Sequence, residues 1–105
     1  MVSSNPPVPE NYPGHQGTIT YQGPSSTRPE QVSSAVYGHQ PYVRVQLPDL
    51  GRVDGLASRW SPTHVLVTWE DENARRFNAW VPASWVERIN AEDSAWRDPY
   101  HRGVR

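Results

Sequence analysis

The chain has no cysteine, which excludes a disulfide framework, thiol chemistry and thiolate metal sites. It has no lysine either. All ten basic residues are arginine, a bias in keeping with a GC-rich bacterial genome or a virus of such a host. Long apolar runs are missing, so nothing approaches a membrane span. The opening MVSSNPPVPENYPG has neither a charged start nor an apolar stretch and does not read as a signal peptide. These features point to a cytoplasmic protein, or to a virion component if a phage encodes it. An excess of one charge is lacking as well: the net charge is −1, not the basic field of a sequence-independent nucleic-acid binder.

Catalytic motifs are also absent. There is no nucleophile elbow, phosphate loop or helix with paired histidines. His15, His39, His64 and His101 do not fall at metal-ligand spacing. Ser61 and His64 are neighbours, but no third group stands near to orient them. Glu70-Asp71-Glu72 reads as a solvated turn tip. The expectation is a non-enzyme with no metal and no cofactor.

What is present divides the chain in two. Seven of the eleven prolines precede Tyr42, while all five tryptophans and the single phenylalanine follow it. Residues 1–41 therefore read as an extended Pro/Gly/Ser-rich arm, too poor in apolar surface to order alone. Within it, Thr18, Ile19, Thr20 and Tyr21 sit between Gly17 and Gly23 and favour an edge strand that adds to another sheet, that of a neighbouring subunit. A helical turn is drawn from Pro29 to Val36.

Residues 42–89 carry the period of two that marks strands. Val43, Val45 and Leu47 alternate with Arg44 and Gln46. A second strand runs from Gly51 to Ala57, with Gly55 marking a bulge or bend. Val65, Val67 and Trp69 share one face of a third strand, and Phe77, Ala79 and Val81 one face of a fourth. Pro82 ends that strand because it has no N–H to give. One tight turn leads to a closing strand over Val86–Ile89. Residues 90–105 are expected to form a short helix from Asn90 through Trp96 and then a loose tail, with Glu92 and Asp93 near the helix's positive end. The fold class is mainly β: a five-stranded SH3-like barrel behind an extended arm, with a short C-terminal helix. Only 48 residues make the barrel, a size at which one core is marginal.

Val65-Leu66-Val67-Thr68-Trp69 followed by Asn78-Ala79-Trp80-Val81-Pro82 resembles the strand-turn-strand signature of chromodomains and their Tudor-type relatives. Trp80-Val81-Pro82-Ala83-Ser84-Trp85-Val86 is similar to the closing turn of SH3 domains. The chromodomain resemblance implies that Trp69 walls a cage for a methylated lysine, although Glu72 stands where the second aromatic wall belongs. The SH3 resemblance implies a groove for Pro-rich peptide built on Pro82 and Trp85.

The residue pattern names Tyr42, Trp60, Trp69, Trp80 and Trp85 as partner-contact candidates, since tryptophan and tyrosine are enriched among interface hot spots. The leading expectation is a protein–protein binding or assembly module. It would be a structural or adaptor subunit of a bacteriophage particle or bacterial complex, its arm touching neighbouring subunits. The alternatives are a nucleic-acid-binding or regulatory chromo/Tudor-like reader and an SH3-like binder of Pro-rich peptide.

Overall fold

Two alternating segments set the centre of the sheet. His64–Glu70 forms strand β5 and Arg76–Pro82 forms β6, paired antiparallel in the register Val67↔Ala79 and Trp69↔Phe77. Val67, Trp69, Phe77, Ala79 and Val81 are all fully buried, as their alternation dictates. Trp69 and Phe77 stack with ring centroids 5.6 Å apart.

The computed structural model describes residues 5–15, 17–23 and 31–100. Its remaining strands are β1 (Thr18–Thr20), β2 (Ser33–Ser34), β3 (Tyr42–Leu47), β4 (Gly51–Trp60) and β7 (Val86–Arg88). The expected closed five-stranded barrel is replaced by one open seven-stranded sheet in the order β1-β6-β5-β4-β3-β7, with β2 paired to β4 beside that path. After β6 the chain turns through a single 3-10 turn at Ala83–Trp85, and the three-residue β7 pairs with β3. Among the described residues no ladder joins β6 to β7.

Gly55 is not the bulge. The register of β4 against β5 shifts between Ala57 and Arg59. A Cβ on Gly55 would lie 2.5 Å from the Thr68 carbonyl oxygen, so glycine is kept there for close backbone approach.

The C-terminal segment makes a 3-10 turn at Ala91–Asp93, not the expected helix from Asn90 through Trp96. Competing tertiary hydrogen bonds explain the difference. The Arg44 guanidinium donates to the Asp93 carbonyl at 2.9 Å, and the Ala95 N–H donates to the Asp54 carboxylate at 2.7 Å. A continuing helix would need those backbone groups for its own ladder. Likewise Ser33 and Ser34 pair with Trp60 and Arg59 as strand and not as the expected helical turn; Pro29 and Glu30 lie outside the described residues.

The described residues of the arm pack on their own chain. Strand β1 pairs in parallel with β6, Thr18↔Asn78 and Thr20↔Trp80, and the Tyr21 N–H donates to the Trp80 carbonyl. Asn5, Val8 and Tyr12 are buried. The Asn5 side chain accepts from the Asp54 N–H at 2.9 Å and donates to the Asp54 and Glu70 carbonyls, each at 2.8 Å. The ladder between β4 and β5 stops at Leu56↔Thr68, so Asn5 supplies a side-chain rung where the two backbones part.

Tyr12 packs edge-on against Phe77, centroids 5.9 Å apart. Its hydroxyl lies 2.6 Å from that of Tyr21, which donates to Asp49 at 2.8 Å in the β3–β4 turn. Tyr21 also packs on Trp85 at 5.9 Å. The arm's side chains thus lie across the side of the sheet that β6 and β7 leave open. Burial pushes the Tyr12 hydroxyl pKa up, and burial with the Tyr12 and Asp49 hydrogen bonds pushes that of Tyr21 much further. The clasp therefore stays protonated, and intact, across the neutral range.

At the β5–β6 tip the acids differ in role. Glu72 is exposed, but Asp71 is buried. The Asp71 carboxylate accepts from the Asn73 and Arg75 N–H groups at 2.9 and 3.1 Å and pairs with the Arg75 guanidinium at 2.8 Å. These bonds hold a turn in which Ala74 takes the left-handed backbone region, φ 61°. Burial alone would raise the Asp71 pKa; the hydrogen bonds from Arg75 and Asn73 outweigh it and hold it below the usual carboxylate value. A depressed folded pKa contributes stability that is full above the unfolded value near 4 and is lost as pH falls through the folded one. Asp71→Asn is therefore expected to unfold at lower urea than the native chain at pH 7 by about 1–2 kcal/mol. That gap should narrow as pH falls below about 4, the unfolded carboxylate value; a gap that does not change with pH would remove the ionic contribution.

Candidate partner-binding face

The outward side chains of β4, β5 and β6 form ordered rows. Leu56, Thr68 and Asn78 face one another across the three strands, and Arg59, Leu66 and Trp80 form the next row. Thr68 Oγ1 donates to Asn78 Oδ1 at 2.8 Å, which satisfies two polar groups inside the sheet face. Thr18 and Thr20 of β1 extend these rows past Asn78 and Trp80.

Over this surface lies a cavity of about 300 Å³. Leu56, Ser58 and Thr68 line it from the sheet, and Gln40 from the segment before β3. Tyr37 and Tyr100 also line it and are 69% and 65% exposed. Val36, 71% exposed, adjoins Tyr37. Two of the four exposed large apolar side chains described thus meet at one cavity, an arrangement that marks contact surfaces.

Arg76 and Asp98 complete the lining, 3.8 Å apart. Arg76 pairs more closely with Glu70, at 2.8 Å, and its guanidinium sits 5.7 Å from the Trp96 ring centroid. The Asp98 N–H donates to the Tyr42 hydroxyl at 3.0 Å, which fixes the segment leading to Tyr100. Burial raises the Tyr42 pKa despite that bond, so the hydroxyl remains a neutral acceptor.

The five aromatic candidates separate clearly. Trp60 is 38% exposed at the end of β4. Trp80 is half-buried on the outward face beside Leu66. Trp85 is half-buried with Tyr21 against it. Trp69 and Tyr42 are core residues and offer no partner surface, because alternation turns Trp69 inward onto Phe77 and Tyr42 is covered by the C-terminal segment. Burial of Trp69 also removes the cage wall that the chromodomain resemblance implies. The groove expected on Pro82 and Trp85 is met by the arm's own Tyr21. The strand of Thr18, Ile19 and Thr20, expected to add to a neighbour's sheet, adds here to the chain's own β6 edge.

Tyr37 and Tyr100 were not among the sequence candidates. The usable signals are small: Tyr37 precedes Gly38 in a turn, φ 83° at the glycine, and Tyr100 follows Pro99. Aromatics at such punctuation have no strand face to occupy.

Ser61 and His64, neighbours in sequence, both bond to nearby groups of the fold. The Ser61 hydroxyl accepts the His64 backbone N–H at 3.1 Å, while the His64 ring nitrogens meet Thr63 Oγ1 at 2.8 Å and the Tyr21 carbonyl at 3.2 Å. Among the described residues no group of three or more His, Cys, Asp or Glu is placed to hold a metal ion, and no helix is long and apolar enough to cross a membrane. Comparison with known proteins finds no matching family model, curated protein or solved structure.

Proposed function

We propose that the chain is a non-catalytic protein–protein binding module that works by contact within an assembly, its body an SH3-like small β-domain. The observation that carries this is the meeting of two exposed aromatics, Tyr37 and Tyr100, at one cavity on the outward sheet face. Exposed aromatics lose free energy to water and regain it when a partner covers them, at ~25 cal/mol per Å² of apolar area. The SH3-like reading draws on the meander β3-β4-β5-β6, the 3-10 turn at Ala83–Trp85, and the return of β7 to β3. The setting that suits an all-arginine, cysteine-free chain is a bacteriophage particle or a bacterial complex.

The test is to pan a random 12-residue peptide library on the full chain and on a Tyr37→Ser, Tyr100→Ser double variant. Both sites are exposed, so the variant should keep its melting curve to within about 0.5 kcal/mol. Peptides enriched on the native chain are expected to lose at least tenfold in affinity on the variant. Unchanged binding would overturn the assignment of the face. Short single-stranded or duplex DNA that binds, and weakens steeply between two salt concentrations, would favour the nucleic-acid alternative.

A further inference from the structure

The arm is held at discrete points, and none of them requires that it belong to the same molecule. Asn5 fills the missing rung between Asp54 and Glu70, Tyr12 rests on Phe77, and Tyr21 bonds Asp49 and packs on Trp85. β1 adds only three residues to the β6 edge. Together these form an acceptor track on the body, matched to this sequence.

We propose that the track on one copy takes the arm of a second copy, so that two chains exchange arms. This goes beyond the reading above: it concerns a different surface and stands even if the Tyr37–Tyr100 face binds nothing. The covalent connection permits the exchange. Eleven residues lie between Tyr21 and Ser33, where β2 anchors the chain to β4. Extended, they span about 36–40 Å, against a longest molecular dimension of 41 Å. Every contact made within one chain is remade between two, so the balance is set by effective concentration. A tether of eleven residues gives an effective concentration on the order of millimolar, and exchange takes over when copies are packed at that density, as in an assembly. Reciprocal exchange closes a two-fold dimer and leaves no unfilled track.

The absence of native cysteine makes the test clean. Thr18 and Asn78 are register partners across β1 and β6, close enough for a disulfide. A chain carrying Thr18→Cys and a second carrying Asn78→Cys, differently tagged, are unfolded together, refolded at about 1 mM and mildly oxidised. The expected product is the mixed disulfide, in at least fivefold excess over either like-with-like disulfide. A chain carrying both substitutions supplies the geometric control, closing internally when refolded dilute. Light scattering on the unmodified chain gives an independent readout: a dimer fraction that rises with refolding concentration. A chain that stays monomeric to 1 mM, or a dimer without the mixed disulfide when the control closes, would overturn the proposal. If the control fails to close, the scattering result alone decides.

Discussion

Asp54→Ala is expected to lower the unfolding free energy by about 3 kcal/mol, which for a domain of this size moves the thermal midpoint down by roughly 12–20 °C. Asp54 is fully buried, and its carboxylate takes a two-pronged bond from Arg44, at 2.9 and 3.1 Å, and a third from the Ala95 N–H. Removing it leaves the Arg44 guanidinium beside a buried pocket without its counter-charge, and the Ala95 N–H without its acceptor. The side chain of Arg44 is 24% exposed, so water recovers part of the loss; that places the estimate at the low end for a broken buried pair. Thermal melts of Asp54→Ala, Arg44→Ala and the double variant would measure the coupling directly. If the single losses simply add, the pair is not a unit and the argument fails. A second readout follows from the bond to Ala95. Amide exchange over residues 91–98 should accelerate in Asp54→Ala well beyond the change expected from global stability alone.

Trp69→Ala should cost still more, about 3–5 kcal/mol, enough to unfold most of the population of a body this small. Trp69 is fully enclosed, stacked on Phe77, which in turn carries Tyr12 of the arm. Its loss therefore removes the floor on which the arm rests as well as the centre of the core. The contrasting substitution is Trp69→Phe. It keeps a ring against Phe77, and it removes an indole N–H that is buried without an acceptor in the protein, a group whose burial costs about 1–3 kcal/mol. Trp69→Phe is thus expected to fall within about 1.5 kcal/mol of the native chain. Urea titrations of the two variants check this; equal losses would show that a phenyl ring against Phe77 does not rescue the site.

Much of the body is legible from residue order because a strand's period of two is a local property. Val43, Val45 and Leu47, the Val65–Trp69 alternation and the Phe77–Val81 alternation each declare which face turns inward, whatever the chain does elsewhere. Pro82 declares an end by lacking a donor. Glu70-Asp71-Glu72 shows where this stops. Three adjacent acids look alike in sequence, yet Asp71 alone points into the turn and holds Arg75, a distinction of side-chain direction that composition does not carry. The segment after Ile89 shows the same limit from the helix side. Asn90, Glu92 and Asp93 are sound helix-start residues, but Arg44 and Asp54 claim the Asp93 carbonyl and the Ala95 N–H first.

By its own order of residues the chain determined a mainly β body with Trp69 and Phe77 on inward faces, and an arm too polar to build a core alone. Tertiary structure alone decided where the arm goes. Asn5 meets partners 49 and 65 positions away, and Tyr12 meets Phe77 across a similar stretch of chain. Such contacts leave no periodic trace, because each depends on a gap between strands that exists only once the sheet has formed. The same holds for the Tyr37–Tyr100 cavity, which is made by two loops distant in sequence meeting over Leu56 and Thr68.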